Sequence, residues 1–382
     1  MIIETITLEN FLTYKKFNSR FSEGINVLVG ENAVGKTNLL DSIYYSSLGK
    51  SSRGLKDKDL INWETPEDFK YARIRINVRT KTTNHKVDVS IDSLGKKRAA
   101  IDNNPITRIA DLMGVIGIVF FSPSEMRLVK DAPVDRRRFM DIALCQQDQN
   151  YLRQLIKYNK LLAQRNKLLK DYYNSTNLNS MSEIITDQLS ETQEYILLKR
   201  KEFIEKLNPI AKEKHSILTS GKEELFLKFE TEDINFNNIA NSLKTKYKES
   251  FEKDKKLQCT TVGIHRDDIM IKSNDIDIRK FGSQGQQRSV VLSLKLAEME
   301  RYFNVKGEMP VVLMDDVLSE LDKNRRDNLF ELLNGAQTFL TCTDIEKKSN
   351  INIYIVTKGE VKKYDNWAKT NCSRQIKFIR YY

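Results

Sequence analysis

A short glycine-containing segment early in the chain has the residue types and spacing needed to bind phosphate. Residues Gly30–Thr37 read G-E-N-A-V-G-K-T, which fits the pattern G-x-x-x-x-G-K-[ST]. The two glycines allow a tight turn in which consecutive backbone N–H groups can surround a phosphate. Lys36 would meet the β- and γ-phosphates, and the Thr37 hydroxyl would ligate Mg²⁺. The candidate nucleotide-binding residues are Gly30, Glu31, Asn32, Ala33, Val34, Gly35, Lys36, Thr37 and Asn38.

Two adjacent carboxylates follow an apolar run much later in the chain. Val311–Asp316 reads V-V-L-M-D-D, which predicts a buried strand with both aspartates at its carboxyl end, the edge where α/β sheets bind ligands. We expect Asp315 to hold Mg²⁺ through water and Asp316 to orient or deprotonate an attacking water. Because such pairs are also common in surface turns, this interpretation depends on the phosphate-binding loop upstream.

A polar segment between these two motifs opens an apolar-striped helix. Residues 283–287 read S-Q-G-Q-Q, so their backbone N–H groups and the Ser283 hydroxyl could form a second anion site. Ser283 could equally be an ordinary N-cap residue. An N-cap does not explain the clustering of three glutamines with Gly285. The segment L-S-E-L-D, residues 318–322, follows the carboxylates directly.

The spacing of glycine and proline separates a helical segment from flanks of mixed type. No glycine lies between residues 117 and 221, and no proline lies between residues 133 and 209. Because glycine and proline both disrupt helix interiors, their absence predicts a helical segment. Apolar spacings predict helices over Arg136–Lys170 and Met181–Leu218, joined by a turn at Asn174–Ser180 and packed as an antiparallel hairpin. The flanks predict strands at Met1–Ser19, Ile25–Gly30, Phe69–Val78, Lys86–Ile91, Leu225–Phe229, Gln258–Gly263 and Thr338–Thr341.

Composition narrows the classes of partner. The 382 residues include 63 Lys+Arg and 52 Asp+Glu, a net charge of +11, which favours an anionic partner. The excess is +4, +4 and +3 over residues 1–132, 133–256 and 257–382, so charge does not locate a binding surface. No apolar run approaches membrane-spanning length, and no secretory signal is visible. The four cysteines and three histidines are scattered, which predicts neither a zinc site nor disulfides and favours the cytoplasm.

The order P-loop, S-x-G-Q helix, D-D strand and S-x-L-D loop resembles the ABC-type ATPases of DNA repair and chromosome maintenance. In that group, the S-x-G-Q segment of one protomer caps the γ-phosphate held by the other protomer's P-loop. The resemblance therefore implies an ATP-dependent homodimer that buries two ATP molecules. By the same resemblance, the residues acting in trans are Ser283, Gln284, Gly285 and Gln286.

Within that group the chain is most similar to the RecF family of bacterial recombination mediators. The matching stretches are L-E-N-F, G-E-N-A-V-G-K-T-N-L-L, K-S-S-R, the run from Phe121 to Asp141, H-R-D-D, S-Q-G-Q-Q-R and L-M-D-D-V-L-S-E-L-D. The resemblance implies ATP and Mg²⁺ as cofactors and duplex and single-stranded DNA at gap junctions as ligands. It also implies RecR as a partner, RecO, RecA and SSB as indirect partners, and a cytoplasmic, nucleoid-associated location with no membrane contact.

The fold class implied is α/β: an ABC-type P-loop ATPase head with an antiparallel β subdomain, split by a helical-hairpin arm or lid insertion. We expect the first part of the head at residues 1–122, the helical arm at 123–256, and the rest of the head at 257–382. The hydrolytic residues would be Asp316 and Lys36. The candidate DNA contacts are Arg53, Arg136, Arg137 and Arg138.

The chain departs from the family pattern at four places. Ser52 stands where His is usual, and Ile264 stands where Pro is usual. Residues 341–344, T-C-T-D, occupy the region where ABC ATPases commonly carry a His, so the γ-phosphate sensor stays unassigned. Asp316 is one methylene shorter than the Glu often found at this position, which predicts slow hydrolysis.

Three alternatives share part of the pattern. A transporter ATPase subunit has both nucleotide motifs, but its signature normally lies much closer to the P-loop than the 247 residues between Lys36 and Ser283. A structural SMC- or Rad50-like tether would need longer arm helices than the predicted ones, which reach only about 55 Å. A small-molecule kinase would leave the S-x-G-Q helix unexplained.

Overall fold

The computed structural model describes residues 1–66, 68, 70–171, 178–346, 351–364 and 379–380. The strands in these ranges are β1 Ile2–Phe11, β2 Tyr14–Arg20, β3 Ile25–Val29, β4 Tyr71–Arg79, β5 Asn84–Asp92, β6 Lys97–Ile101, β7 Asn104–Ile106, β8 Ile118–Phe121, β9 Leu225–Glu230, β10 Asp268–Ser273, β11 Ile276–Asp277, β12 Val311–Asp315, β13 Thr338–Cys342, β14 Ile345–Glu346, β15 Ile351–Thr357, β16 Glu360–Lys363 and β17 Ile379–Arg380. The helices are α1 Lys36–Leu48, α2 Arg127–Lys130, α3 Pro133–Gln147, α4 Gln149–Lys170, α5 Leu178–Leu218, α6 Ile239–Leu257, α7 Ile278–Phe281, α8 Gln284–Lys306 and α9 Lys323–Leu332.

The chain divides into two compact units. Unit 1 contains the described residues of Met1–Glu125 and Glu298–Tyr382, and unit 2 is Met126–Ala297. Residues 257–297 therefore cluster with the helical segment, although the sequence groups them with the second part of the head. The local reason is that β10 pairs with β9 and β11 in a three-stranded sheet.

The centre of unit 1 is a mixed sheet in the order β16-β15-β3-β13-β12-β8. The neighbours from β15 to β8 run parallel, and only β16 pairs antiparallel, with β15. All five residues of β3 are buried, as are the first four of β12. Buried parallel strands read as continuous apolar runs, which is why both strands were visible in the sequence.

Unit 1 also contains an antiparallel sheet in the order β2-β1-β4-β5-β6-β7. Alternate residues of β4 and β5 are buried, and this confirms the predicted antiparallel pattern. The single strand expected over Met1–Ser19 is instead a hairpin of β1 and β2. The chain reverses at Leu12 and Thr13, where Leu12 adopts a positive φ of 49°.

Unit 2 is mainly helical. The helix expected over Arg136–Lys170 is two helices, because Asp148 lies between α3 and α4 and accepts hydrogen bonds from the backbone N–H groups of Asn150 and Tyr151. Helix α5 packs against both α4 and α6. Of the expected turn at Asn174–Ser180, residues 174–177 lie outside the described residues, and 178–180 begin α5.

The predicted strand over Gln258–Gly263 is wrong, because this segment is a loop attached to a buried ion pair. The Arg165 guanidinium donates to Asp254 at 2.7 Å, and both side chains are fully buried. Asp254 also accepts hydrogen bonds from the Thr261 backbone N–H at 3.0 Å and hydroxyl at 2.6 Å. These side-chain bonds replace the strand pairing that the apolar pattern suggested.

We predict that Asp254→Ala destabilises the protein by about 3–5 kcal/mol, because it leaves the Arg165 cation buried without its partner. Urea unfolding followed by circular dichroism measures this loss. The control is Glu252→Ala, which removes an exposed carboxylate that pairs with the half-buried Lys255 on the same helix and should change stability by less than about 0.5 kcal/mol. Equal effects of the two substitutions would contradict the prediction.

Candidate nucleotide-binding site

The phosphate-binding loop runs from the end of β3 to the start of α1. Its two glycines are needed because neighbouring atoms lie too close to leave room for a side chain, and because the chain turns sharply. Gly35 has a φ of +113°, and a Cβ there would lie 2.7 Å from the Thr13 hydroxyl oxygen. A Cβ at Gly30 would lie 2.4 Å from the Val356 carbonyl oxygen. The loop is therefore held between the β1–β2 turn and the end of β15.

Lys36 lies inside this loop. Its Nζ donates to the carbonyl oxygens of Gly30 at 2.6 Å and Glu31 at 2.7 Å. Burial lowers the pKa of Lys36, and the carboxylates of Asp315 and Asp316 oppose that shift. The loop thus holds a cation among backbone groups at the N-terminus of α1, which itself favours an anion.

Thr37 and Asp315 meet although they are 278 residues apart in the chain. The Thr37 hydroxyl donates to Asp315 Oδ1 at 2.9 Å. A hydroxyl and a carboxylate suit Mg²⁺, which usually binds few protein oxygens and completes its shell with water and phosphate. The structure therefore brings together the two residues that the sequence assigned to the metal.

Thr341 completes this contact and was not assigned a role by sequence. It lies on β13 opposite Asp315 of β12, and its hydroxyl donates to Asp315 Oδ1 at 2.8 Å. The same hydroxyl oxygen accepts the Asp316 backbone N–H at 2.9 Å. The available signal was a threonine close to the end of β13, the strand between β3 and β12. The sequence could not use this signal, because it does not reveal the order of the strands.

The two carboxylates face different surroundings. Asp316 has a positive φ of 50°, uncommon for an aspartate, and is exposed, whereas Asp315 is half-buried against Thr37. The left-handed conformation turns the chain directly after β12. One carboxylate is thereby fixed beside the P-loop, and the other stays accessible to water.

Asp316 lines a cavity of about 420 Å³ in unit 1, together with Ser319, Lys323, Arg326, Thr343 and Asp344. The last two residues belong to the segment where ABC ATPases commonly carry a His. Cys342 also lines the cavity, and burial raises the pKa of its thiol to about 12. The thiol is therefore protonated at neutral pH, which makes it a poor nucleophile.

The Ser283 segment in unit 2 forms a helix N-cap. The Ser283 backbone N–H donates to Gln286 Oε1 at 3.0 Å, and the Ser283 hydroxyl oxygen accepts the Gln286 backbone N–H at 3.3 Å. This is a reciprocal capping box. Ser283 and Gln284 are exposed, so the cap also presents polar groups at the start of α8, and Gly285 lies in its first turn.

The arginines proposed as DNA contacts have different environments. The Arg53 guanidinium donates to the Asn38 side chain at 2.8 Å and lies 3.6 Å from Asp41. Arg136 is only 2% exposed, and its guanidinium donates to Asp268 at 3.0 Å. This burial corrects the assignment of Arg136 as a DNA contact, because the side chain bonds within unit 2. Arg137 is half-buried and donates to the Asp267 carbonyl at 2.9 Å, whereas Arg138 is exposed.

We predict that Thr341→Val weakens ATP affinity roughly tenfold when Mg²⁺ is present, because Asp315 loses a charge-assisted hydrogen bond. Affinity in EDTA should not change. Isothermal titration calorimetry measures both values. Thr338→Val is the matched control, since Thr338 is buried on the same strand and its hydroxyl bonds to the Ala336 carbonyl. An equal loss with and without Mg²⁺ would contradict the role of Thr341.

Comparisons with known proteins agree on the family. The family described as the RecF/RecN/SMC N terminal domain matches residues 2–356. The DNA replication and repair protein RecF of Clostridium kluyveri is 40% identical over 368 residues, which cover 95% of this chain and all of that protein. The Clostridium acetobutylicum RecF is 40% identical over 371 residues, again 95% of this chain and all of that protein.

Solved structures support the same fold. The recombination mediator protein RecF with ATP, from the RecFOR pathway, aligns with a TM-score of 0.86 at 32% identity over 95% of this chain and 97% of that one. An Smc head bound to the C-winged helix domain of ScpA aligns at 0.55 and 15% identity over 95% of this chain and 97% of that one, which supports the fold alone. Among the described residues, no helix is long and apolar enough to cross a membrane. The chain therefore belongs to the RecF family of ABC-type, SMC-like ATPases, as its fold, the order of its motifs and these matches show.

Proposed function

We propose that this protein is an ATP-gated, DNA-binding recombination mediator. The observation that carries the proposal is the contact of Thr37 with Asp315, beside a lysine held inside a glycine loop. The fold places these groups together in a chain 40% identical to RecF proteins over 95% of its length. Smc heads share the architecture at 15% identity, which supports the fold and not a tether function.

In this proposal ATP binds with its phosphates in the Gly30–Thr37 loop. Lys36 exchanges its bonds to the loop carbonyls for bonds to the β- and γ-phosphate oxygens. Thr37 and Asp315 would hold Mg²⁺, directly and through water, and the bound ion would supply neutralisation of the phosphate charge. The support is the oxygen-donor pair and the cation already positioned by unit 1.

The second half of each nucleotide site comes from another copy of the chain. The exposed start of α8 offers the Ser283 hydroxyl and backbone N–H groups to a γ-phosphate, with Gln284, Gly285 and Gln286 beside it. The capping box keeps this segment preorganised without a ligand. Because ATP would then be shared by two heads, ATP binding and dimerisation are one linked event.

DNA is the proposed anionic partner of the dimer. We infer binding to duplex DNA next to single-stranded gaps, with RecR as the direct partner and RecO, RecA and SSB acting in the same process. The support is the RecF likeness and the net charge of +11. Arg53 and the exposed Arg138 remain candidate phosphate contacts. A protein acting on gapped chromosomal DNA would work in the cytoplasm, on the nucleoid.

Hydrolysis serves as a switch and makes no change to DNA. Asp316 orients or deprotonates the attacking water, and its exposed position after β12 supports this role. A general base contributes about 10²–10⁴-fold to such a step. The short aspartate side chain should align water less well than a glutamate would, so turnover should be slow.

The test of the proposal is the mass of the protein, measured by light scattering, with and without ATP and a short duplex. ATP should convert the wild-type chain to a dimer. Lys36→Met should lose both ATP binding and dimerisation, whereas Ser283→Arg should bind ATP and stay monomeric because the bulky cation lies in the interface. Ser216→Arg, an exposed position on α5 of the same unit, is the matched control and should dimerise. Loss of ATP binding by Ser283→Arg would show that Ser283 acts in cis.

We predict that Asp316→Asn keeps ATP binding and dimerisation but lowers turnover by about 10²–10⁴-fold, because the amide cannot accept the water proton. The ATP-bound dimer should consequently dissociate from DNA more slowly. Phosphate release and DNA dissociation kinetics measure the two effects. Glu331→Gln, at an exposed carboxylate on α9, is the control. Undiminished turnover in Asp316→Asn would exclude Asp316 as the base.

A further inference from the structure

One tryptophan of unit 1 has a side chain far more exposed than those of the residues that precede it. Trp63 is 86% exposed, although the preceding residues Ile61 and Asn62 are buried. Leaving a large aromatic ring in water forgoes substantial hydrophobic stabilisation. An exposed aromatic ring on a rigid segment is the kind of surface on which a nucleic-acid base stacks.

The segment that presents Trp63 is held rigidly. The Asn62 backbone N–H donates to the Asn10 carbonyl at 2.8 Å, and the Asn62 side chain donates to the Leu12 carbonyl at 2.5 Å. The Asn62 side-chain oxygen in turn accepts the Glu64 backbone N–H at 2.9 Å. The residues on both sides of Trp63 are thus fixed through Asn62, which is bonded to the turn between β1 and β2.

That turn is in direct contact with the phosphate-binding loop. The Thr13 hydroxyl oxygen accepts a hydrogen bond from the Asn38 side chain at 3.0 Å, and the Tyr14 hydroxyl donates to the Gly35 carbonyl at 3.0 Å. A Cβ at Gly359, in the turn after β15, would lie 3.9 Å from the Thr13 carbonyl oxygen. The β1–β2 turn therefore lies beside the β15 end of the loop.

The direction of a bound nucleotide follows from the sheet order. The metal end of the site is marked by Thr37 and Asp315, and Asp315 ends β12, on the β13 side of β3. Strand β15 is the neighbour of β3 on the opposite side. A nucleotide bound with its γ-phosphate at the metal end would extend its sugar and base toward the β15 side. The β1–β2 turn lies on that side, and the segment that carries Trp63 is bonded to it.

The Trp63 side chain also forms a hydrogen bond with the neighbouring Glu64 carboxylate. The pKa of the Glu64 carboxylate is lowered by hydrogen bonds from Lys15, at 2.7 Å, and from the Trp63 side chain. Because the indole N–H lies in the ring plane, this bond uses the ring edge and leaves the faces available.

We propose that Trp63 is the base-stacking surface of the nucleotide site and gives it a preference for purines. This inference rests on the proposed ATP binding and adds the residue that recognises the base. Stacking on an aromatic side chain is worth about 1–3 kcal/mol per base by alanine substitution, which is roughly tenfold or more in affinity. Purines present a larger face than pyrimidines, so the ratio of ATP to CTP affinity reports this contact.

The experiment uses the full chain carrying Trp367→Phe, which leaves Trp63 as the only tryptophan of the two. Titration with ADP should change Trp63 fluorescence saturably, and the same change should occur in a Ser283→Arg background that cannot dimerise. Trp63→Ala should weaken ATP and ADP binding about tenfold and move the ATP-to-CTP ratio toward one. Trp63→Phe should retain most of both.

Inorganic tripolyphosphate, which has phosphates and no base, is the control ligand and should bind wild-type and Trp63→Ala proteins equally. Leu94→Ala, at another highly exposed apolar residue of unit 1, is the control variant and should bind ATP normally. Equal loss of tripolyphosphate and ATP affinity in Trp63→Ala would overturn the proposal, as would an unchanged ATP-to-CTP ratio. A fluorescence change only in chains that dimerise would assign Trp63 to the contact between copies and also overturn it. Absence of ATP binding by the wild-type chain would instead overturn the proposed function, and this inference with it.

Discussion

The hydrogen bond between Thr37 and Asp315 is the contact on which the candidate site depends. It joins the start of α1 to the end of β12, two elements separated by most of the chain. The bond forms because β3, β13 and β12 are adjacent parallel strands, so their carboxyl ends lie on one edge of the sheet. Any arrangement that moved one of these strands would separate the phosphate-binding loop from the Asp315 carboxylate.

Thr341 shows how the middle strand contributes to this edge. One hydroxyl donates to the Asp315 carboxylate and accepts the Asp316 backbone N–H. It therefore orients the Asp315 carboxylate and the turn that directs Asp316 away from it. A single buried group thus separates two chemically identical side chains into two environments, which is a general way for a site to assign different roles to like residues.

Unit 2 illustrates that structural and functional interpretations of a motif need not exclude each other. Ser283 and Gln286 form an ordinary capping box, yet the same geometry presents an ordered polar segment at a helix N-terminus. The arginine run behaves differently. Arg136 is buried against Asp268, and removing Asp268 would leave the Arg136 cation buried without its carboxylate partner. The first role of Arg136 is therefore to hold unit 2 together.

The sequence by itself determined the local chemistry and the buried strands. The P-loop, the D-D pair and the apolar runs of β3 and β12 are recognisable because each depends on residues within a few positions of one another. It did not determine the break in the first arm helix at Asp148, the loop at 258–263 or the role of Thr341. Nor did it place Trp63 beside the β1–β2 turn. Those features depend on side-chain hydrogen bonds and strand order between distant residues, and only the tertiary structure brings such partners within bonding distance.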